Sequence, residues 1–306
     1  MTRAELLQLF TPIYDEFMMM KFNEPPKVYA ELYDEIEDPT RQHLIDYVSG
    51  LGAWQVVQED SDEGLDHFVL GYPLTLAQAK YRKYFYVSFE INDQMEYAEM
   101  KKKIVNAEAL GAGAITAVLQ ATAALISGGF AGTTPDGAHN YDTVHPKNPE
   151  EATILYSNLL TGPFSHDNLE RAETQIAANY IDMDGDPITP PELPILLYPP
   201  ALRGQVQRVL SERALERPGT PNRDINRFAG KYRPLEWVYL GAAFGGSDTA
   251  WYIIYPSMKM LKLIWGRKPQ FTSWIENVKH RYYFDGWEHF VVGASDWRYG
   301  FASTGL

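Results

Sequence analysis

The chain is 306 residues long and 45% hydrophobic, enough to bury a substantial core as one large domain or two ordinary ones. A formal net charge of -13 argues against gripping nucleic acid phosphates by bulk electrostatics. The absence of cysteine removes disulfides, thiolate metal sites and thiol nucleophiles.

The chain begins MTRAELLQLF, where Glu5 interrupts the apolar run before it reaches signal-peptide length. A cytosolic product without a cleaved leader is therefore expected. Thr2 with Glu5 forms a capping-box pair, and Leu6, Leu9, Phe10, Ile13, Tyr14, Phe17 and Met18 follow at helical spacing, with Pro12 expected to kink or split the helix. Its apolar face suits the chain's own core. The run Met18, Met19, Met20 and the Pro25-Pro26 exit suit equally well an arm lying across a neighbouring subunit.

From 41 to 93 the signals change to strand and turn. In VVQEDSDEGLDHFVLGYPL the acidic Glu59, Asp60, Asp62 and Glu63 sit between apolar runs, the pattern of a solvated hairpin or flap. YFYVSFEI then alternates, with Phe85, Val87, Phe89 and Ile91 on one face and Tyr84, Tyr86, Ser88 and Glu90 on the other.

Residues 92–129 read as one long helix. Asp93 and Glu96 form a capping box, Gly128 and Gly129 supply the stop, and Met95, Ile104, Ala107, Val118, Leu119, Leu125 and Ile126 fall at three- and four-residue steps. At 1.5 Å per residue the rod is about 50 Å long. Residues 109–126 carry no charge and follow Lys101, Lys102 and Lys103, which meets the length threshold for a membrane span. The stretch is mostly alanine, glycine and threonine, however, with Gln120 inside it and Glu108 just before it. A core-facing helix, packed closely on a sheet through its small residues, is the favoured reading.

The loop AGTTPDGAHNYDTVHPKNPEE brings Asp136, His139, Asp142 and His145 at three-residue steps, a carboxylate and imidazole set able to hold zinc or non-haem iron. Asp136-Gly137 and His145-Pro146 are also turn formers, and no helix puts the four on one face. A Ser165 cap opens the next helix, with Leu169, Ala172, Ile176 and Ala177 inward. Asp182, Asp184 and Asp186 match the first ligands of a calcium loop, but Pro187 replaces its glycine and Glu192 comes one position early, so a polar Asp-Gly turn is preferred. ELPILLYPPAL reads as a short buried strand and ALRGQVQRVLSERAL as a helix with Val206, Val209 and Leu210 inward. RPGTPNRDINRFAG reads as an irregular loop, and the aromatic and β-branched runs beyond it as mainly strand.

There is no phosphate-binding glycine loop, no dinucleotide fingerprint and no G-x-S-x-G elbow. His43, His67, His139, His145, His166, His280 and His289 are scattered. These features amount to a large soluble α+β protein with an arm, an acidic flap and a long rod, whose uncovered extensions point to assembly with other copies.

The order of these features resembles the major capsid proteins of tailed bacteriophages, especially the Mu-like major head subunits. The resemblance runs through Trp54 to Glu63 and Tyr84 to Glu90 as the two sides of an extended loop, then the rod as a spine helix. It continues through Asp136-Gly137, His145-Pro146, Asn158-Leu159-Leu160-Thr161-Gly162, Asp184-Gly185, Leu196-Leu197 and Pro199-Pro200. Pro218-Gly219-Thr220 with Asn222 and Asn226, Ala250-Trp251-Tyr252, Gly266-Arg267-Lys268-Pro269, Asp296-Trp297-Arg298 and Ser303-Thr304-Gly305 complete it. The likeness lies in this collinear order, since each piece is short.

The resemblance implies a tailed-phage major capsid protein fold: an N-terminal arm (1–38), an extended β-hairpin loop region (39–91), a peripheral domain with the spine helix (92–150), an axial domain (151–270) and return strands of the peripheral domain (271–306). It implies a structural protein without cofactor or metal, forming pentamers and hexamers in an icosahedral shell. Implied partners are separate scaffolding, portal and decoration proteins, with packaged double-stranded DNA as a neighbour bound without sequence specificity and no membrane. Assembly would take place in the host cytoplasm and the product reside in the virion. The acidic Glu59, Asp60, Asp62 and Glu63 would then seek Arg82, Lys83, Arg267 or Lys268 on adjacent copies. The alternatives are a phage-derived nanocompartment shell and a metal-dependent hydrolase using the Asp136, His139, Asp142 and His145 loop.

Overall fold

The computed structural model of the chain describes residues 3–45, 69–88, 97–189, 193–211 and 226–306. Two helices dominate its first half. Helix α1 spans Arg3–Asn23, and Pro12 does not split it. Helix α2 spans Tyr97–Ser127 and ends where Gly128 opens a 3-10 turn, so the glycine stop acts as the sequence suggests. The proposed Asp93 and Glu96 cap lies outside the described residues.

A four-stranded sheet runs under the helices. Strands β1 (Asp34–Glu37), β2 (Gln42–Ile45), β3 (Leu74–Ala77) and β4 (Ala79–Ser88) come first in the chain. The sheet joins β1 and β4 to the two strands of a long hairpin near the end, Leu261–Glu276 and Arg281–Ala294. The first hairpin strand pairs parallel with β1, and the second pairs antiparallel with β4. Val87 faces inward while Tyr84 and Tyr86 are half exposed, the alternation expected of this strand. Its Phe89, Glu90 and Ile91 lie outside the described residues.

Between these elements the chain forms β5 (His145–Pro146), β6 (Leu155–Tyr156), β7 (Leu159–Leu160), helix α3 (His166–Asn179), β8 (Ile195–Tyr198), helix α4 (Arg203–Leu210), β9 (Arg233–Glu236) and β10 (Trp251–Ile254). The hairpin strands are β11 and β12, and β13 (Gly300–Ser303) closes the chain. A second sheet has the order β7-β13-β10-β8-β9. It is apolar on both faces. Ile195, Leu197, Tyr252 and Ile254 join the core under α2, whereas Leu196, Tyr198, Trp251 and Ile253 join a second core with Leu169 and Ala172 of α3 and Val206 of α4. A strand buried on both sides needs no polar alternation, which explains the continuous apolar runs in the sequence. Ser165 caps α3 by accepting from the Asn168 amide at 3.1 Å.

The α2 helix buries Ile115, Val118, Leu119, Ala123 and Ile126 against both sheets, with Ala107 and Leu110 under α1. Its small residues allow the close approach. A Cβ built on Gly111 would stand 2.0 Å from the Met18 carbonyl oxygen, so the two helix backbones meet there. The charge-free stretch is the seat of α1 and the sheets.

Three features bear on the expected division of the chain. In the first segment Tyr14, Met18 and Phe22 of α1 are buried in the chain's own cores, the core-facing alternative of the two, leaving Ile13, Met19 and Met20 outward. Removing residues 1–27 is therefore expected to unfold the subunit rather than only impair assembly. Burial of each such side chain contributes about 1.5 to 3 kcal/mol, and the urea midpoint of the truncated chain measures the loss. Second, β4, which holds Tyr84, pairs residue by residue with β12 from Ser88 against Arg281 to Ala79 against Phe290. Ile45 of β2 pairs with Leu74 of β3, and the acidic Glu59, Asp60, Asp62 and Glu63 lie outside the described residues. Third, β11 runs unbroken across the expected boundary at 270, and β13 belongs to the second sheet rather than to the long one.

Candidate assembly surfaces and the buried polar junction

The loop after α2 folds into a polar junction between the two sheets. His145 is fully buried, with its ring stacked on Trp297 at 4.7 Å and 15°. Its Nδ1 lies 2.8 Å from Asp136 Oδ2 and its Nε2 3.1 Å from Asn158 Oδ1. The Asn158 amide nitrogen donates to the carbonyls of Asn140, Trp297 and Gly300, which fixes that side chain's orientation. Both His145 nitrogens thus lie within hydrogen-bond distance of an oxygen of the chain, so both directions from which the ring could bind a metal ion are occupied. His139 is exposed and approaches Asp142 only through its backbone amide, at 3.2 Å from Oδ2. The four residues do not converge, and among the described residues no group of three or more histidines, aspartates or glutamates could hold a metal ion.

Asp136 shows the electrostatics of the junction. Burial pushes its carboxyl up, but hydrogen bonds from His145 and Thr134, with the charge of His145, outweigh burial and hold it below the usual range. A depressed carboxyl contributes stability above its unfolded value, near pH 4, that is lost as pH falls through the lower folded value. Asp136→Asn is expected to cost about 2 kcal/mol at neutral pH and to lose most of that difference in strong acid, as read from urea midpoints at the two pH values.

Arg298 locks the same region. It is almost fully buried and donates from Nε to the Ile181 carbonyl at 2.7 Å, from Nη2 to the Lys147 carbonyl at 2.7 Å and from Nη1 to Asp296 Oδ2 at 2.8 Å. The calcium-like loop is a turn. Asp182 Oδ1 accepts from the amides of Asp184, Gly185 and Asp186 at 3.0, 2.8 and 2.8 Å, and Gly185 holds a φ of 105°.

The cations expected at an interface occupy the long sheet and its β11 bulge. Arg82 is committed within the chain: its Nε lies 2.9 and 3.0 Å from the two Asp285 carboxylate oxygens. Lys268 pairs with Glu37. Lys83 is exposed above Gly113. Arg267 stands 5.5 Å from the Trp287 ring centre, with Lys80 5.3 Å from the same ring. His289 is pushed down by burial and by the charges of Lys80, Arg267 and Arg41, which together make a cationic cluster on this acidic chain. Sequence reasoning singled out Arg267 and missed Arg41 and Lys80, because strand register sets Arg267 and Lys80 on either side of His289 and the Arg41 carbonyl is tied to the Gln78 amide beside β4.

No family model and no curated protein sequence matches the chain. Solved structures do match in fold. A chain of the procapsid of bacteriophage JBD30 is 14% identical, with a TM-score of 0.54 over 99% of this chain and 76% of that one. The capsid of Ralstonia phage GP4 gives 0.58 at 11% identity over 89% and 86%, and the virus-like particle from Pyrococcus furiosus 0.52 at 12% identity over 96% and 99%. The chain has the fold of phage capsid proteins.

Proposed function

We propose that the protein is the major capsid protein of a tailed phage, of the Mu-like head-subunit type. It is a structural protein, not an enzyme, and many copies close into the shell around the genome. The observation that supports this reading is the likeness in fold of 99% of the chain to a chain of the JBD30 procapsid and of 89% to the capsid of Ralstonia phage GP4. Copies associate as pentamers and hexamers in an icosahedral shell, assembled in the host cytoplasm with separate scaffolding, portal and decoration proteins. The acidic Glu59, Asp60, Asp62 and Glu63 of one copy are directed at cations of the next. Since Arg82 and Lys268 already have carboxylate partners, the cluster of Arg41, Lys80 and Arg267 is the stronger receptor for that segment. Such pairs contribute specificity more than energy, and repetition over a closed shell multiplies them.

Negative-stain microscopy of the expressed chain tests the proposal: closed, uniform shells are expected, and a monodisperse monomer at high concentration would overturn it. Full-length similarity to the virus-like particle keeps a nanocompartment as a second reading. Nucleic acid within shells recovered from infected cells supports the phage head, and cargo protein in its place supports the compartment.

A further inference from the structure

The long sheet has the order β1-β11-β12-β4, so β4 is an edge strand, and among the described residues the backbone of Ala79–Ser88 pairs only with β12. Its 10 residues are long for an edge, and Ala79 to Tyr84 are exposed without a break. An open edge of this kind presents a row of unpaired amides and carbonyls that another strand can take up.

The space beside the edge suits such a strand. A cavity of about 200 Å³ lies between β4, β12 and α2, walled by Tyr81 and Lys83 on one side and by Leu110, Ala114 and Ala117 on the other. At ~30 Å³ per water it has room for about six waters, or for a pair of branched apolar side chains. The α2 wall carries no charge, and Ala114 and Ala117 are only half buried, since the sheet ends at β4 and no other described element completes the cover. A strand added ~4.8 Å beyond β4 would complete it, with alternate side chains entering the cavity. Glu288 of β12, at the back, keeps its carboxylate oxygens buried and out of reach of an incoming side chain.

The charge of the edge narrows the partner. Lys80 and Lys83 have no carboxylate partner among the described residues, whereas Arg82 is held by Asp285. Arg41 and Arg267 stand near Lys80 around His289, on a chain whose formal net charge is -13. Lysines on an edge keep out a like strand and admit an acidic one. The chain's own acidic run does not fit. Glu59, Asp60, Asp62 and Glu63 stand in the sequence EDSDE with no apolar residue among them, so on a strand they would send carboxylates to both faces, one set into the apolar cavity.

We propose that the free edge of β4 binds an extended segment of a separate protein by strand addition, with branched apolar side chains in the cavity over α2 and, alternating with them, carboxylates on the face of Lys80. The site stands whether or not the chain builds a shell.

A blocked peptide of alternating glutamate and valine, titrated into the full chain, tests this by fluorescence polarisation and amide hydrogen exchange. Saturable binding that weakens as salt rises is expected, with exchange slowed at every second amide of Ala79–Ser88, those that point away from β12. Lys80→Glu should weaken binding about tenfold, and Ala117→Leu, which fills the cavity from α2, should abolish it. Methylating one alternate set of peptide amides should abolish binding and methylating the other set should leave it, because only one edge of the peptide joins the ladder. Absence of saturable binding, binding indifferent to both methylated sets, or binding without protection in β4 would overturn strand addition. Slow exchange of the outward β4 amides in the free chain would mean that its own residues already cover the edge. Tighter binding of a peptide spanning residues 54–66 of this chain would make the partner a second copy, and either of these last two results overturns a separate protein as the occupant.

Discussion

Gly111→Val is expected to lower the unfolding free energy of the subunit by about 3 kcal/mol or more, at the upper end of what overpacking costs. At this position α1 and α2 touch through their backbones, and a Cβ would lie 2.0 Å from the Met18 carbonyl oxygen and 2.8 Å from its carbon. A helix backbone cannot yield by rotating a side chain, so α1 has to lift. Lifting it uncovers Tyr14, Met18 and Phe22 together with the Ala107, Leu110 and Phe284 surface they cover. Gly204 of α4 is the control. It meets nothing within 4 Å, so Gly204→Ala is expected to gain about 0.5 to 1 kcal/mol through helix propensity and the unfolded chain. Urea midpoints of the two variants should move in opposite directions, and a Gly111→Val midpoint equal to wild type would mean that α1 does not sit on α2.

Glu288→Gln is expected to stabilise the isolated subunit, by up to about 5 kcal/mol well above pH 8 and by little at pH 4. The sign follows from the direction of the shift. Burial raises this carboxyl from 4.5 to about 8, so between those values the folded chain holds a proton that the unfolded chain has released. Wild-type stability falls as pH rises through that window and is flat above it, whereas glutamine stays neutral throughout. Below the window both side chains are neutral and similar in shape. Chemical denaturation at intervals across this range should show a gap between variant and wild type that opens with pH. A gap that is constant or absent would mean the carboxyl is hydrated in the folded chain.

Local rules carried much of the architecture. The long α2 helix, its glycine stop, the Ser165 cap, the inward Leu169 and Ala172, the doubly buried β8 and the alternation of Tyr84 to Val87 all follow from spacing and capping chemistry acting within a few residues. The same holds for Asp182, which turns its own backbone and was legible as a turn from the Asp-Gly sequence. The collinear order of these elements also resembled that of tailed-phage capsid proteins, whose fold the chain has.

What one residue does to another far along the chain was not legible. The sequence offered Asp136, His139, Asp142 and His145 as equals, and only folding paired Asp136 with His145 while leaving His139 in solvent. Arg82 read as a free interface cation until β4 was laid against β12 and put Asp285 beside it. Periodicity showed that α1 has an apolar face and could not say whose surface covers it; the gap at Gly111 decided that, because only a missing side chain lets two backbones meet. Short-range sterics and hydrogen bonding are written in neighbouring residues. Partnership across two hundred positions depends on strand register and helix seating, which no local window contains.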